Sequence, residues 1–316
     1  MTCPAVTTRV LVRGSSLTTG WGFGLPCLPL NAHRAAAGRP VIPIPTPTPV
    51  AERLRRATRE CVLAITAVEQ ALNAATCLQS ELAGPRTALV YASASAYAAA
   101  NWTFLHADRS SAVYFPYTAP SAVPGEVTIQ FNMIGPYLSL LSGANAGIEA
   151  LWQAATLLAH DQCDRALLLG VETFMECADL FTASRWLLSR PLVETAVCLI
   201  LERHPALAAV GYQAGRRGDV PDMIDVLLDR QAATTIALCL PTIRDGHRLA
   251  QQLRVFRPHV RSLVVSERTG TCLASTSLIG LLLALATGKD EHVLLVSCWG
   301  EAWSVLRWPL IERVAR

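Results

Sequence analysis

Residues 135–174, GPYLSLLSGANAGIEALWQAATLLAHDQCDRALLLGVETF, constrain the fold of this chain more than any other segment. Their pattern predicts a strand, a tight turn of small residues, an apolar helix with Asn145 as its N-cap, and a second buried strand. A turn that leads into a helix N-terminus often holds a nucleophile. This turn has the shape of such a socket, yet it contains only Ser142, Gly143, Ala144, Asn145 and Ala146.

The rest of the chain continues the alternation of strands and helices, which is typical of an α/β protein with buried, mixed sheets. Further strands are predicted at 8–14, 87–93, 195–201, 233–240, 262–267 and 292–299, and further helices at 51–72, 246–253 and within 269–288. The proline-rich run 41–50 predicts an extended surface loop, because proline removes a backbone donor at every second position. The two halves, 1–203 and 204–316, are expected to form one compact unit.

Composition favours a protein with a large subunit interface, since 52% of the residues are hydrophobic and only 16% are charged. A net charge of +3 does not indicate nucleic-acid binding. The ten cysteines form no C-x-x-C pair, so no metal is expected, and without a recognisable signal peptide we expect a cytoplasmic location. The uncharged stretch 269–288 is long enough to span a bilayer, but its Thr, Ser, Cys and Gly content favours a buried helix.

The turn and its flanks resemble the nucleophile segment of β-ketoacyl synthases, the elongating condensing enzymes of the thiolase fold. In the frame GPYLSLLSGANAG, the family's catalytic cysteine falls on Ala144. RALLLGVETF, LVETAVCLILE and RVLVRGSSLTTGWG also resemble strands of that family. The resemblance implies a thiolase-like α/β fold, with two related halves whose mixed β-sheets are layered between helices in the order αβαβα. The matching positions are Gly135, Pro136, Leu138, Ser139, Gly147, Gly170, Glu172, Glu194 and Glu202.

Two later motifs of the family carry its catalytic histidines. The segment CLPT places Leu240 at the first histidine, and TGTCLASTSLIGLLLAL places Thr271 at the second. SCWGEAWSVL, which begins at Ser297, resembles the family's terminal glycine-rich loop. Family members carry the acyl chain on a thiolate that a helix N-terminus favours, and their histidines stabilise the developing enolate. Ala144 cannot form that thioester, Leu240 has no polar atom, and Thr271 is no base near neutral pH.

The resemblance therefore implies a catalytically degenerate ketosynthase-like subunit of the chain-length-factor type, with no cofactor and no independent condensing activity. Its expected partners are an active ketosynthase, in a heterodimer, and an acyl carrier protein with a phosphopantetheine-bound acyl chain in polyketide or specialised fatty-acid synthesis. Five consecutive residues are candidates for the acyl tunnel or the interface, with plain core as the other interpretation: Gln130, Phe131, Asn132, Met133 and Ile134.

Two other functions stay open at this point. One alternative is an active enzyme with displaced chemistry, an acyltransferase, hydrolase or dehydratase acting on carrier-bound substrates, in which another side chain replaces the nucleophile. The substitutes on that hypothesis are Ser142, Cys272 and His247, although a turn residue, a buried thiol and an exposed helix residue explain them more simply. The third possibility is a purely structural scaffold in a synthase assembly.

Overall fold

Apolar strands that are buried on both faces build two sheets in this protein. The computed structural model describes residues 10–47, 52–106, 114–183, 188, 191–204, 209–228, 234–287 and 290–310. The strands found there are β1 (Val10–Thr19), β2 (Gly22–Phe23), β3 (Val41–Ile42), β4 (Thr87–Ala92), β5 (Tyr137–Leu140), β6 (Arg165–Glu172), β7 (Leu192–Val193), β8 (Thr195–Arg203), β9 (Gly211–Arg216), β10 (Thr234–Leu238), β11 (Arg261–Val264), β12 (His292–Trp299) and β13 (Ala302–Pro309).

The α-helices of the described residues lie between these strands, as expected for an α/β protein. They are α1 (Ala32–Ala36), α2 (Arg59–Ala75), α3 (Ala96–His106), α4 (Ala122–Phe131), α5 (Ala146–Ala159), α6 (Ala178–Ala183), α7 (Val220–Leu227), α8 (Ile243–Phe256), α9 (Val265–Thr269) and α10 (Ser275–Thr287). None of them is long and apolar enough to cross a membrane, and α10 is buried over most of its length.

Sheet 1 has the strand order β2-β1-β8-β6-β4-β5, and sheet 2 has the order β11-β10-β12-β13-β9. In sheet 1, β4 runs parallel to β5 and β6, while β8 runs antiparallel to β6 and β1. In sheet 2, β10 runs parallel to β11 and β12, and β13 is antiparallel to both of its neighbours. The described strands of sheet 1 come from residues 10–203 and those of sheet 2 from 211–309; the division of the chain at 203/204 stays a prediction.

Successive residues of each strand point to opposite faces of the sheet, so each sheet can pack against helices on both faces. The two sheets are stacked between three layers of helices. Leu167 of β6 belongs to the core that α2 and α4 share with sheet 1, whereas its neighbour Leu168 belongs to the core around α5 and α10. Leu295 of β12 faces the same α5 and α10 layer from the other side, and Leu294 faces α7 and α8. The predicted order αβαβα is therefore confirmed.

Several local predictions were wrong. Val41 and Ile42, in the proline-rich run, form the short parallel strand β3 beside β7, and Ile44 is buried, so this part is no simple surface loop; residues 48–51 lie outside the described part. The predicted strand 262–267 ends at Val264, where α9 begins. Asn145 does not cap α5 with its side chain, because a turn of 3-10 helix, Gly143–Asn145, runs directly into α5.

Candidate functional site

The turn between β5 and α5 is shaped by close contact with a tryptophan from sheet 2. Gly143 has a φ of +65°, and a Cβ on it would lie 2.4 Å from ring atoms of Trp299. Glycine is therefore required twice, by its left-handed backbone and by the space. Ala144 follows with only 1% of its surface exposed. The position that the family resemblance assigns to a nucleophile thus holds a buried methyl group, and the residue before it contacts the ring of Trp299.

The hairpin of β12 and β13 holds this turn in place. The hydroxyl of Ser297 donates to the carbonyl oxygen of Ala144 at 3.1 Å, and the side-chain amide of Asn145 donates to the carbonyl of Ala302 at 3.0 Å. The segment that resembles the terminal glycine-rich loop of ketosynthases thus lies against the segment that resembles their nucleophile turn. The side chain of Asn145 is used for this contact between the two halves of the chain rather than for capping.

The other two positions of the predicted catalytic group lie at the same end of sheet 2. The amide of Cys239, just after β10, donates to the carbonyl of Val296 at 2.8 Å, which places Leu240 beside the end of β12. The hydroxyl of Thr271 donates to the carbonyl of Pro241 at 3.2 Å. Leu240 and Thr271 are each 1% exposed. The turn after β10, the segment before α10 and the turn before α5 therefore converge, with aliphatic and hydroxyl side chains and no acid–base group at these positions.

A fully buried carboxylate, Glu172 at the end of β6, lies behind this region. Its oxygens accept hydrogen bonds from the backbone amides of Ala94, Ser95 and Ala274 at 2.9, 2.9 and 3.1 Å, and from the Ser95 hydroxyl at 2.5 Å. Burial raises the pKa of Glu172 to about 7, although these hydrogen bonds oppose the shift. Glu172 fixes the loop after β4 and the start of α10 relative to β6.

A second buried carboxylate, Glu194, forms an ion cluster near the edge of the region. The Arg59 guanidinium contacts both oxygens of Glu194 at 2.7 Å and also pairs with Glu176 at 2.6 Å. The backbone amides of Ile44 and Phe174 donate to Glu194 as well, both at 2.8 Å. Burial alone would raise the pKa of Glu194, but the charge and hydrogen bonds of Arg59 outweigh it and hold that pKa below its ordinary value. The cluster joins the N-terminus of α2, the strand β3 region and the segment after β6.

The three substitute residues do not assemble into a site. Ser142 is exposed and donates a short hydrogen bond to Glu149 of α5. Cys272 is fully buried, and burial raises its pKa to about 12, so it stays a thiol. His247 lies on the exposed face of α8, and no hydrogen bond among the described residues joins it to the other two. Nor do any three His, Cys, Asp or Glu side chains in that part of the chain cluster as metal ligands would.

The five tunnel or interface candidates separate into two groups. Phe131 and Met133 are buried in the core between α2 and sheet 1, the environment that the core interpretation predicts, and the tunnel or interface assignment of the five residues stays a prediction. Asn132 ends α4 with a left-handed φ of +51° and is exposed, and Ile134 is 72% exposed. The carbonyl of Gln130 accepts a hydrogen bond from Gln79. Only the second group reaches the surface.

Sequence reasoning missed the residues that shape the turn from a distance. Trp299 was part of a recognised motif, but nothing in the sequence shows that its ring covers Gly143. The loop partners of Glu172, Ser93 and Ser95, also went unnoticed. A serine-rich loop directly after a buried strand is the one local signal that points to them.

Comparison with known proteins agrees with this architecture. Residues 49–195 match the family model described as "Beta-ketoacyl synthase, N-terminal domain". That match ends at the first residue of β8, so it covers three of the six strands of sheet 1, β4, β5 and β6, and none of sheet 2. The comparison with curated protein sequences gives no match.

Solved structures match nearly the whole chain, each covering 96% of it. One is described as the AntDE:AntF type II PKS acyl-carrier protein in complex with its ketosynthase bound to the hexaketide (TM-score 0.79, 14% identity, 100% of that chain). Another is the ishigamide ketosynthase/chain length factor (TM-score 0.73, 16% identity, 99% of that chain). A third is a β-ketoacyl synthase from Burkholderia phymatum STM815 (TM-score 0.74, 16% identity, 100% of that chain). The chain has the thiolase-like ketosynthase fold.

Proposed function

We propose that this protein is a non-catalytic ketosynthase-like subunit that pairs with an active ketosynthase and shapes the acyl tunnel in polyketide or specialised fatty-acid synthesis. One observation carries the proposal. The turn has the left-handed Gly143 against the ring of Trp299 and leads into α5, yet the nucleophile position holds the methyl group of Ala144. A thiolate is needed there to carry an acyl chain, and no described side chain supplies a replacement. Chain extension is therefore the work of a companion subunit.

The similar structures support the two kinds of partner. One of them is described as a ketosynthase/chain length factor, and another as an acyl-carrier protein in complex with its ketosynthase. We infer the same two partners for this chain, an active ketosynthase and an acyl carrier protein with its phosphopantetheine-bound chain. The nine cysteines among the described residues are all free thiols, which fits a reducing, cytoplasmic setting.

An open sheet edge offers a surface for the partner subunit. β5 is the last strand of sheet 1 and pairs only with β4 among the described strands, so its outer edge presents unpaired backbone groups. Apolar side chains cluster along it: Tyr137 is 54%, Ile134 72% and Ile129 67% exposed. A strand edge flanked by exposed apolar residues is an aggregation hazard in a monomer and suits a partner that covers it.

Further exposed apolar residues lie on α3 and beside it. The backbone amide of Ser93 donates to the carbonyl of Leu140, which joins the end of β5 to the loop that leads into α3. Leu105 of α3 is 73% exposed, and Phe115, which contacts Phe104 of this helix, is 64% exposed. Stable subunit interfaces bury about 800 Å² or more on each partner, which requires a surface of this extended kind rather than a single strand.

Co-expression with a catalytically competent ketosynthase tests the pairing. We expect the two chains to co-purify as a heterodimer. Tyr137→Arg should weaken that pairing about tenfold or more, because pairing would bury a charged guanidinium without a partner. Val255→Arg is the matched control, since Val255 is also apolar and 71% exposed but lies on α8. A wild-type chain that stays monomeric beside every ketosynthase encoded with it would refute the pairing.

Intact-mass measurement after incubation of the heterodimer with acyl-carrier substrates tests the chemistry. We expect an acyl adduct on the companion ketosynthase and none on this chain. An adduct on Ser142 or Cys272 would support displaced chemistry instead. If pairing occurs but changes on the tunnel side of this chain never alter product length, the scaffold function is the correct one.

A further inference from the structure

The outer face of sheet 2 carries a groove that the proposed partner role does not use. α7 packs on β9 and β13, whereas α8 packs on β11 and β10. The central strand β12 lies between the two helices, and the space above it is a cavity of about 1060 Å³. Ligand sites for small molecules typically have volumes of about 300–1,000 Å³, so this groove is large enough for one.

The groove is separated from the Ala144 turn by the thickness of sheet 2. Ser297 and Trp299 of β12 contact the turn, and the residue between them, Cys298, faces the α7 and α8 side together with its strand partner Trp303. Trp303 forms part of the groove lining. A ligand in the groove therefore occupies a site different from the vacated catalytic position.

The walls of the groove are largely apolar. Ile224 and Leu228 contribute from α7 and the residue after it, Leu249 and Leu253 contribute from α8, and Trp303 contributes from β13. These side chains offer an aliphatic and aromatic surface to the body of a ligand. Burial of such a body stabilises a complex by about 25 cal/mol per Å² of apolar surface before the costs of association.

The charged groups around the groove are not balanced. Arg257 pairs with Asp225, and the Asp245 carboxylate accepts a hydrogen bond from Thr242 at the start of α8. Arg217 and Arg248 also line the groove, and within the described residues neither guanidinium forms an ion pair or donates a hydrogen bond. Three arginines and two aspartates thus line the groove, which leaves one positive charge in excess and two guanidiniums without a partner among the described residues. His259 adds a further nitrogen donor or acceptor to the lining.

We propose that this groove binds a small amphipathic anion, with its apolar body against Leu249, Leu253 and Trp303 and its anionic head between Arg217 and Arg248. An arginine fork recognises a carboxylate and a phosphate by the same paired hydrogen bonds, so the head group is one of these two. The site goes beyond the proposed partner role and does not depend on it.

Calorimetric titration of the purified protein, alone or with its companion subunit, tests the site. The probes are decanoate and decyl phosphate, each below its micellar concentration, and decanol as the neutral analogue. We expect saturable binding of one anionic probe at one site, and at least about tenfold weaker binding of decanol. Decanoate and decyl phosphate distinguish the two head groups. Equal binding of decanol, or no binding of either anion, would overturn the proposal.

Variants identify the groove as the place of binding. Arg217→Gln and Arg248→Gln should each weaken anion binding about tenfold, the loss of a charge-assisted hydrogen bond at a partly exposed site. Arg254→Gln is the control, an exposed arginine of α8 outside the groove. Gly218→Trp should block binding without disturbing the core, because a Cβ at Gly218 meets open space.

If binding is unchanged in all three groove variants, the anion binds elsewhere and the proposal is wrong. Pairing with the ketosynthase, measured on the same variants, should stay at the wild-type level. A failure of pairing in the wild-type chain would bear on the proposed function alone and leave the groove result intact.

Discussion

Glu172 allows a quantitative test of the buried network behind the Ala144 turn. Its carboxylate is fully buried and joins three segments: the loop after β4, the end of β6 and the start of α10. Glu172→Gln keeps the size and shape of the side chain and resembles the protonated acid, but it cannot titrate. The substitution therefore removes the pH dependence that Glu172 contributes to stability while it retains most of the packing.

The size of the effect follows from the pKa of Glu172, which rises from an ordinary value of 4.5 to about 7 in the folded protein. At about 1.4 kcal/mol per pKa unit, this difference corresponds to about 3 kcal/mol. The folded state binds the proton more tightly than the unfolded state does. The stability contributed by the protonated form is therefore fully present below about pH 4.5 and is lost as the pH rises through about 7.

Urea unfolding of the wild type and Glu172→Gln, measured from pH 5 to pH 8, isolates this contribution. Other titrating groups affect both proteins alike, so the free energy of unfolding of the wild type should fall by about 2–3 kcal/mol relative to the variant over this range. Glu301→Gln, at an exposed carboxylate between β12 and β13, is the control and should follow the wild type. Parallel profiles for the wild type and Glu172→Gln would refute the reasoning.

Three further predictions concern the same framework. Arg59→Met leaves the Glu194 carboxylate buried without its cation and should lower the free energy of unfolding by about 3–5 kcal/mol in denaturant titrations. Gly147→Ala brings a Cβ to 2.0 Å from a carbonyl of the segment before α10, and it should cost at least about 1–3 kcal/mol in the same assay. The thiol of Ala144→Cys should react slowly with iodoacetamide, because Trp299 covers the turn, and faster when Trp299→Ala is added; neither variant should condense acyl units alone.

Each of these predictions has a control or an opposing result. Gly125→Ala, where a Cβ meets open space on α4, should leave stability unchanged or raise it slightly, in contrast to Gly147→Ala. An unchanged unfolding midpoint in Arg59→Met would mean that Glu194 finds water or a proton instead of remaining an unpaired charge. Equal labelling rates with and without Trp299 would show that its ring does not limit access to the turn.

The alternation of apolar strands and helices was sufficient to predict an α/β protein with buried, mixed sheets, whereas the layered order αβαβα followed from the resemblance to ketosynthases. Buried runs such as residues 166–170 and 195–201 form central strands, because an apolar strand is buried on both sides only in a sheet whose two faces are covered. The same reasoning failed where tertiary contacts override local preference. Asparagine is favoured at helix N-caps, yet the side-chain amide of Asn145 donates to the carbonyl of Ala302, 157 positions away in the chain.

The contacts at the candidate site were harder to predict for the same reason. The covering of Gly143 by Trp299, and the convergence of Pro241 with Thr271, join residues that are far apart in the sequence. No local pattern encodes such distances. The resemblance to ketosynthases assigned these segments to motifs of one catalytic site, and the structure places them at one end of sheet 2.

Residues that build the nucleophile turn and the residue that would perform its chemistry are physically separable. Gly143 is required by its left-handed backbone and the adjacent Trp299, and Gly147 by the carbonyl of Ala274 just before α10, so both needs exist whether or not a reaction takes place. Position 144 is buried, so its side chain only has to be small, and alanine satisfies this requirement. A match at the glycines therefore reports the fold, whereas the chemistry of the turn depends on position 144, where packing requires only that the side chain is small.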